Sequence, residues 1–259
     1  MKVIMQDSRV LVINNLSIEF GGLKAVSNFN MEINKKELIG LIGPNGAGKT
    51  TIFNLITGLY KPTSGTIKLI DEDITNLVTH KRVQKGIART FQNIRLFKQL
   101  TVLENVKVAY HNNMSYGLFS SIFRTKKYWT EENEAHQKAQ EILDVLGLLE
   151  YKDELAQNLP YGKQRKLEIA RALATFPKLL CLDEPAAGMN PHETEELMET
   201  IKIIQDKFET TILLIEHDMK FVMGICDRIY VLNFGELIAE GVPLEIQKNP
   251  EVIKAYLGE

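Results

Sequence analysis

The sequence predicts a mixed α/β fold that carries an antiparallel β part and an inserted helical subdomain. Three observations support this prediction. Near the N-terminus apolar and polar side chains alternate, as they do in antiparallel strands with one solvated face. Further along, short apolar runs alternate with stretches of helical periodicity, which is typical of an α/β core. Between residues 100 and 149 the strand signal disappears and helical patterns replace it.

The first strands are expected between residues 9 and 42. RVLVINNLSIEF and NFNMEI alternate in polarity, whereas ELIGLIG is apolar throughout and predicts a buried strand. We then expect a loop and helix in GPNGAGKTTIFNLITGL and a turn and strand in KPTSGTIKLI. A short strand that runs into a loop is expected in GIARTFQ.

The middle of the chain predicts helices. In ENEAHQKAQEILDVLGLL, the residues Ala139, Ile142, Leu143 and Leu146 share one helical face. Residues 111–129, HNNMSYGLFSSIFRTKKYW, are irregular and aromatic instead, and we expect no regular element there.

After the helical stretch the α/β alternation resumes. We expect strands in KLLCLDE and TTILLIEH, with a helix in PHETEELMETIKIIQ between them. A short helix should follow in DMKFVMGIC, then a hairpin in RIYVLNFGELIAEG and two short helices in VPLEIQKNPEVIKAYLGE. We therefore predict one domain over 1–259, with an α/β core at approximately 1–92 and 176–259 and the helical subdomain at approximately 93–175.

The composition excludes several classes of protein. The 259 residues are 44% hydrophobic and 25% charged, as in an ordinary globular domain, and a net charge of −2 offers no basic excess for nucleic acid. Cys181 and Cys226 lie in apolar runs without metal-ligand spacing, which predicts buried thiols in a reducing compartment. MKVIMQDSRVLVINN shows no signal-peptide pattern, and no apolar run approaches the roughly 20 residues that span a bilayer. A role at a membrane would therefore require another chain.

A phosphate-binding loop is the most specific local motif. The run GPNGAGKT fits G-x-x-x-x-G-K-[ST] and lies between a buried strand and a helix, a context that a chance glycine turn would not share. Backbone N–H groups of such a loop surround phosphates, the Lys49 ammonium reaches the β/γ-phosphates, and the Thr50 hydroxyl can ligate Mg²⁺. The motif predicts a P-loop NTPase core with a RecA-like mixed sheet. The predicted nucleotide-binding residues include Gly43, Pro44, Asn45, Gly46, Ala47, Gly48, Lys49, Thr50 and Thr51.

Two acidic residues follow the apolar strand LLCLDE. Because the carboxyl end of a parallel strand opens on the ligand crevice, Asp183 is expected to hold Mg²⁺ through water and Glu184 to polarise the attacking water. The alternative, that one of them caps the helix near Pro191, does not explain two adjacent acids.

The third apolar strand, TILLI, ends in Glu216, His217 and Asp218. His217 lies where a side chain could bond a γ-phosphate, although a histidine at a strand end is equally well explained as an ordinary polar residue. The other four histidines are expected at the surface, namely His80, His111, His136 and His192.

The run LPYGKQRKLEIARAL predicts a turn followed by a helix. A glycine-led helix start offers unpaired N–H groups and the positive end of the helix dipole, which suits an anion. Since the phosphate loop already provides one phosphate site, the residues alone leave open which anion this second site would serve.

The order and spacing of these motifs resemble those of ABC ATPase subunits over essentially the whole chain. The turn at 159–164 corresponds to the signature motif of that family. The resemblance implies that two subunits pack head to tail, so that this turn contacts the γ-phosphate of ATP held by the partner. The residues expected to do so are Leu159, Tyr161, Gly162, Lys163 and Gln164.

The resemblance also assigns two residues outside these motifs. Phe20 matches the aromatic residue that stacks on adenine, the alternative being an ordinary residue of the strand core. Gln92 matches the glutamine that reaches Mg²⁺ and the attacking water, at the start of a loop that meets the membrane subunit. Catalysis is thus expected from Glu184, His217 and Gln92, and magnesium binding from Thr50, Gln92 and Asp183.

The chain departs from the family pattern at two positions. The common signature Leu-Ser-Gly-Gly-Gln is replaced by Leu-Pro-Tyr-Gly-Lys, and Pro160 has no hydroxyl for a phosphate. A hydrogen bond to a charged group contributes roughly 1.5–3 kcal/mol, so we expect weakened rather than absent binding at that site. Asn190 replaces an aspartate that is common in the loop linking the two ATP sites.

Within the family, the residues of these motifs are most similar to those of the ATPases of branched-chain amino-acid importers. That resemblance implies ATP and Mg²⁺ as cofactors, two transmembrane permeases, a second ATPase subunit in a homo- or heterodimer, and a substrate-binding protein. It also implies a peripheral location at the cytoplasmic face of the inner membrane, and no nucleic-acid partner.

Four alternatives remain at this point. Urea or amide importers and lipopolysaccharide exporters share several of the motifs. A soluble ABC ATPase for DNA repair or translation usually carries two cassettes or a coiled-coil insert, and this chain has one phosphate loop and no heptad run. A non-hydrolysing, nucleotide-gated subunit would fit the altered signature but not Glu184 and His217.

Overall fold

The structure is a computed structural model that describes residues 9–257. Both ends of the predicted 1–259 domain, including most of the N-terminal run MKVIMQDSRVLVINN, lie outside the described residues. Within 9–257 no helix combines the length and the apolar character that crossing a bilayer requires.

An antiparallel sheet of four strands forms the first layer, in the order β2-β1-β4-β5. The long β1–β2 hairpin dominates it, since both strands have twelve residues that alternate between buried and exposed positions. Its strands are β1 (Arg9–Phe20), β2 (Leu23–Asn34), β4 (Ser64–Leu69) and β5 (Glu72–Asp73).

A mixed sheet of six strands forms the second layer, in the order β10-β9-β3-β8-β7-β6. The five strands from β9 to β6 run parallel and β10 returns antiparallel to β9. Its strands are β3 (Leu38–Ile42), β6 (Ile87–Arg89), β7 (Leu179–Asp183), β8 (Thr211–Ile215), β9 (Arg228–Asn233) and β10 (Glu236–Gly241).

The central strands of the mixed sheet are covered on both faces. Alternate residues of β3 belong to two different apolar clusters, Leu38 and Ile42 to the one on the helical side and Ile39 and Leu41 to the one shared with the antiparallel sheet. This double burial explains why LIGLI, LLCLD and TILLI are apolar throughout and not alternating.

Helices complete both sides of the mixed sheet. Two of the longer ones begin at capping boxes, Thr101 with Glu104 and Asn190 with Glu193, in which each side chain bonds the backbone N–H of the other residue. The helices are α1 (Lys49–Ile56), α2 (Thr79–Lys85), α3 (Val102–Tyr110), α4 (Leu118–Ile122), α5 (Lys126–Val145), α6 (Tyr161–Leu173), α7 (Pro191–Lys207), α8 (Met219–Ile225), α9 (Pro243–Lys248) and α10 (Pro250–Leu257).

The structure corrects one expectation about secondary structure. Residues 111–129 are not irregular throughout, since they contain a 3₁₀ turn (His111–Asn113), the short helix α4 and the first turn of α5. Elsewhere the predicted strands, the hairpin and the two C-terminal helices are present. The mixed α/β fold with its two additions is confirmed.

Two further expectations concern single residues. Cys181 and Cys226 are free and buried, and burial raises the pKa of the Cys181 thiol to about 12. The four remaining histidines, His80, His111, His136 and His192, are all exposed.

Candidate functional site

Four neighbouring parallel strands bring the predicted catalytic residues to one edge of the mixed sheet. In the order β3, β8, β7 and β6, their carboxyl ends lead into the phosphate loop, Glu216–His217, Asp183–Glu184 and the segment with Gln92. In parallel α/β sheets this edge is where ligands bind. Motifs far apart in sequence therefore lie side by side.

The phosphate loop is shaped by glycines that no other residue could replace without strain. Gly43 has a φ of 152°, and a Cβ there would lie 2.2 Å from the Leu232 carbonyl oxygen. Gly48 has a φ of 101°, and a Cβ there would lie 2.9 Å from the Ala25 carbonyl oxygen. The Gly235 N–H, in the β9–β10 turn, donates to the Ala47 carbonyl over 3.0 Å and holds the loop from outside.

A cavity of about 580 Å³ opens beside this loop. It is large enough for the phosphates of a nucleotide, and the N-terminus of α1 points its backbone N–H groups toward the loop. Its lining residues are Leu23, Lys24, Ala25, Asn45, Gly46, Ala47, Gly48, Lys49, Thr50, Thr51, Glu184 and Phe234.

The Lys49 ammonium is held within the loop. It donates to the Gly43 carbonyl over 2.7 Å and to the Pro44 carbonyl over 3.0 Å. Burial lowers the pKa of Lys49, and the negative charge of Glu184 partly opposes this shift. The amine is thus preorganised at the point where the phosphates of a nucleotide would arrive.

Asp183 has a partner that the sequence did not predict. The Arg89 guanidinium, at the end of β6, lies 2.6 Å from its carboxylate, and both side chains are only 9% exposed. Arg89 also donates to Asn54 over 2.6 Å and to Thr57 over 3.2 Å. An ion pair therefore occupies the acidic end of β7.

The predicted magnesium ligands fit Mg²⁺ in their chemistry. Hydroxyl, amide and carboxylate oxygens of Thr50, Gln92 and Asp183 are the hard donors that Mg²⁺ prefers, and Mg²⁺ usually takes its remaining ligands from water and phosphates. In the part of the chain that the structure describes, no three His, Cys, Asp or Glu side chains form a metal cage of their own. A site shared with a nucleotide is the arrangement that this donor set supports.

Gln92, Glu184 and His217 come together beside the loop. The Gln92 side-chain amide donates to the Glu184 carboxylate over 2.9 Å, and the other carboxylate oxygen lies 3.9 Å from Nδ1 of His217. Glu184 has a φ of 46°, and its N–H donates to the Ile215 carbonyl over 2.9 Å. A non-glycine residue with this φ indicates a backbone that its surroundings hold in place.

The Glu216 carboxylate accepts hydrogen bonds from the backbone of two of these segments. One carboxylate oxygen accepts the Ala186 N–H over 2.9 Å, and the other accepts the His217 N–H over 3.0 Å. The side chain is buried, and burial raises its pKa. Glu216 thereby links the loop after β7 to the loop after β8, a role that sequence spacing did not indicate.

The helix α6 holds the backbone of the Gln92 segment. Arg165, fully buried, donates to the Phe91 and Gln92 carbonyls over 2.7 Å each and to the Glu168 carboxylate over 3.0 Å. Glu168 in turn accepts the Arg95 N–H over 3.2 Å, and burial raises its pKa. Any displacement of α6 must therefore move the segment that carries Gln92.

The same helix also holds the loop after Glu184. The Tyr161 hydroxyl donates to the Ala187 carbonyl over 3.0 Å and accepts from Arg165 over 3.3 Å. The Ala187 N–H returns to the Glu184 carbonyl over 3.2 Å. With the Gln92–Glu184 bond, these contacts form a closed ring from the Glu184 side chain through α6 back to the Glu184 backbone.

The other predicted signature residues differ in what they can contact. Leu159 is buried, and its carbonyl accepts the Gln164 side chain over 2.8 Å. The Lys163 ammonium lies 3.5 Å from the centre of the Tyr151 ring. Gly162 is also buried, and a Cβ there would lie 2.8 Å from a Glu193 oxygen. Among the five predicted signature residues, Tyr161 is the one classed as exposed.

Phe20 is not a residue of the strand core. It is 45% exposed at the end of β1 and packs edge to face against Tyr60, with ring centroids 5.3 Å apart. It is not among the residues that line the cavity beside the phosphate loop. Its exposed ring remains available for stacking.

A second cavity, of about 300 Å³, lies between the core and the helical side. It is a groove whose walls come from β6, from the segment after Gln92 and from α3 and α6. Its lining residues are Val83, Ala88, Arg89, Phe91, Arg95, Ala109, Glu168, Arg171, Ala172 and Thr175.

Comparison with known proteins decides the family. Residues 26–187 match the family described as ABC transporter, and residues 236–259 match the family described as branched-chain amino acid ATP-binding cassette transporter. The chain belongs to the ABC transporter family. The prediction that this chain is an ABC ATPase subunit is thereby confirmed.

The curated relatives of this ABC ATPase cover nearly its whole length. The high-affinity branched-chain amino acid transport ATP-binding protein LivG of Escherichia coli is 52% identical, over 96% of this chain and 98% of that protein. BraF of Pseudomonas aeruginosa, described in the same words, is 48% identical over the same shares. The lipopolysaccharide export system ATP-binding protein LptB of Haemophilus influenzae is 33% identical.

Solved structures agree with the fold of this ABC ATPase. The ADP conformation of MJ1267, an ATP-binding cassette of an ABC transporter, superposes with a TM-score of 0.83 at 34% identity, covering 97% of this chain and 99% of that one. The dimeric post-hydrolysis state of MJ0796, bound to ADP and phosphate, gives 0.74 at 26% identity, covering 90% and 98%.

Proposed function

We propose that this chain is the ATP-hydrolysing subunit of an ABC importer for branched-chain amino acids. The convergence of Gln92, Glu184 and His217 beside the phosphate loop carries the proposed hydrolysis. The substrate class is taken from relatives, since LivG at 52% identity and BraF at 48% are named for branched-chain amino acid transport. The match of residues 236–259 to the corresponding C-terminal family supports the same class.

ATP binds in this proposal with its phosphates in the loop at Gly43–Thr51 and its adenine against Phe20. Lys49 exchanges its two carbonyl acceptors for β- and γ-phosphate oxygens, which carry full negative charge and make stronger bonds to an ammonium. The glycines allow backbone N–H groups to approach the phosphates closely.

The Thr50 hydroxyl, Gln92 and Asp183 would hold Mg²⁺, which would supply positive charge against the phosphate oxygens. Asp183 can serve in this way once it exchanges Arg89 for the cation or its water shell. Arg89 keeps its bonds to Asn54 and Thr57 after that exchange, so it is not left without partners.

Hydrolysis uses the carboxylate of Glu184 as the base. It accepts a proton from a water whose oxygen attacks the γ-phosphorus, while the bond to the bridging oxygen breaks and leaves ADP and phosphate. His217 and Gln92 align that water, both from positions within reach of Glu184. The ring of hydrogen bonds through Tyr161 and Arg165 keeps the Glu184 and Gln92 side chains next to each other.

The signature turn is proposed to act on a neighbour. The N-terminus of α6 meets the γ-phosphate of ATP bound to a second ATPase subunit, which is another copy or a related chain. This answers which anion the second site serves. Structures of dimeric cassettes among the relatives support such an arrangement.

One of two proposed permeases binds this chain at the groove beside residues 92–100, and a substrate-binding protein delivers the amino acid. Closure and reopening of the ATPase dimer would move this segment together with α6, through Arg165 and Glu168. The chain would then sit at the cytoplasmic face of the inner membrane, held there by the permeases.

Transport by the reconstituted complex tests this proposal. Vesicles that contain this chain with the permeases that co-purify with it should accumulate leucine when the binding protein and ATP are supplied, and Glu184→Gln should abolish the uptake. Equal uptake with the variant would remove Glu184 from the mechanism. ATP-driven extraction of lipopolysaccharide or uptake of urea without leucine uptake would replace the proposed substrate.

A further inference from the structure

We propose that the segment between α3 and the first turn of α5 is a lipid-binding surface that contacts anionic bilayers directly. The surface, called here the aromatic–basic surface, consists of Phe119, Ile122, Phe123, Arg124, Lys126 and Trp129. It goes beyond the proposed transport function, in which only the permeases hold the chain at the membrane.

The apolar part of this surface is unusually exposed. Phe119, Ile122 and Phe123 are 70%, 66% and 64% exposed, and the rings of the two phenylalanines pack together with centroids 4.4 Å apart. Phe119 and Ile122 lie in the short helix α4 and Phe123 follows it, at a spacing of three and four residues that favours one side. Apolar side chains this exposed forgo most of the favourable free energy of burial, so an apolar environment is expected to cover them.

Every charged residue from Phe119 to Trp129 is basic, and the nearest acids, Glu131 and Glu132, are bonded to Ser115 and Tyr116. Arg124 and Lys126 are exposed, and no Asp or Glu occurs between Glu104 and Glu131, although the whole chain carries a net charge of −2. A basic segment that follows exposed aromatic residues is complementary to the negative surface of a membrane with anionic lipids. The chain's single tryptophan, Trp129, is half exposed at the same place. Tryptophan is enriched where protein meets the membrane–water interface.

The base of the segment is firmly attached to the fold. Both carboxylate oxygens of Glu131 accept from Ser115 over 2.7 Å, and the Tyr116 hydroxyl donates to Glu132 over 2.7 Å. A segment anchored in this way can contact a flat surface while its base stays folded.

The size of the apolar group favours lipid over a protein partner. A standard protein interface uses about 20–30 residues on each side, whereas the exposed apolar side chains here form one small cluster. Insertion of a few aromatic side chains combined with charge attraction is sufficient for reversible binding to a membrane surface.

The position of the segment agrees with the proposed assembly, and this one point rests on the proposed function. The segment leaves the fold directly after Ala109, which lines the groove assigned to the permease, and the Asn113 amide donates to the Ala174 carbonyl beside it over 3.0 Å. A groove that holds a membrane protein faces the membrane, so the segment starts on that side.

The test uses the purified full chain and Trp129 as its reporter. Its fluorescence is recorded with vesicles of phosphatidylcholine containing phosphatidylglycerol, and with vesicles of phosphatidylcholine alone. We expect a blue shift and quenching by brominated lipid with the anionic vesicles, weakened by salt. The double variant Phe119→Ser with Phe123→Ser should weaken binding about tenfold or more, and Arg124→Asn with Lys126→Gln about ten- to thirtyfold at low salt.

A matched control removes an exposed apolar side chain elsewhere. Leu244→Ser, at a position 69% exposed in α9, should bind vesicles like the parent protein. ATP binding measured on the same samples reports the proposed nucleotide site separately, so failure of one proposal does not imply failure of the other. Absence of vesicle binding, or binding unchanged in both double variants, would overturn the lipid-binding surface. So would loss of permease binding in the Phe variant without any vesicle binding.

Discussion

The Tyr161 hydroxyl donates a hydrogen bond to the Ala187 carbonyl over 3.0 Å. This contact joins the start of α6 to the loop that follows Glu184, the proposed catalytic carboxylate, in the same subunit. Tyrosine replaces a small signature residue of the common family pattern, so the contact belongs to the altered signature. The ring that it completes makes the position of the helix and the position of Glu184 interdependent.

Removing that hydroxyl should slow hydrolysis without weakening ATP binding. A neutral hydrogen bond contributes roughly 0.5–1.5 kcal/mol, so Tyr161→Phe is expected to lower kcat about two- to tenfold. Steady-state ATPase assays of the assembled transporter measure kcat and KM separately. Tyr151→Phe, whose ring faces Lys163, is the matched control and should keep the parent kcat.

A double-mutant cycle separates positioning from a general loss of structure. If Tyr161 acts through Gln92, Tyr161→Phe should have a smaller effect in the Gln92→Ala background than in the parent. Additive effects on kcat would show that the hydroxyl does not act through this ring.

Glu184→Gln should slow hydrolysis by about 10²–10⁴-fold, because the amide cannot take a proton from the attacking water. ATP binding should persist, since Glu184 is not a phosphate ligand in the proposal. Nucleotide binding by equilibrium dialysis and turnover by phosphate release test the two parts. Turnover at the parent rate would assign the proton to another group.

The buried ammonium of Lys49 predicts a pH dependence of stability. Burial lowers the pKa of Lys49 in the folded protein below 10.5, the value expected in the unfolded chain. The protonated amine therefore destabilises the folded state at neutral pH. This destabilisation is lost as the pH rises from the pKa of the folded state toward 10.5, because the folded protein releases the proton first. Relative to Lys49→Met, the parent should therefore gain stability over that range. Thermal unfolding of both proteins at pH 7 and near pH 10 measures the difference, and a constant difference would contradict the shift. Lys49→Met should also lose ATP affinity, because methionine has no positive charge to bind the phosphates.

Two glycines offer a contrast between folding and function. Gly43→Ala places a Cβ 2.2 Å from a backbone oxygen at a φ of 152°, and should lower the free energy of unfolding by more than about 2 kcal/mol. Gly162→Ala meets the Glu193 carboxylate, which can shift only by giving up its capping bond to the Asn190 N–H, and should cost about 0.5–2 kcal/mol. A loss of ATPase activity in the second variant with its stability retained would implicate the signature turn itself. Denaturant unfolding and ATPase assays distinguish the two variants.

The sequence was sufficient to predict what depends on local pattern. Apolar strands such as LLCLD are buried on both faces, and the acids after them lie at the carboxyl edge because the strands run parallel. The short helix α4 was missed because five residues are too few to show a helical period.

Contacts between distant residues could not be predicted from the sequence. Arg89 meets Asp183 across 94 positions and Arg165 meets the Gln92 carbonyl across 73, and no spacing rule connects such pairs. The charge of Arg89 at a strand end beside LLCLD was the available signal. Arg165 lies in the helical run KQRKLEIARAL, whose local pattern does not indicate which of its charged residues is buried.

The structure of the assembled, ATP-loaded transporter carrying Glu184→Gln tests the central claim most directly. The account predicts two ATP molecules between two ATPase subunits, with the N-terminus of α6 from one subunit on the γ-phosphate held by the other. ATP enclosed by a single subunit, with residues 159–164 facing solvent, would contradict it.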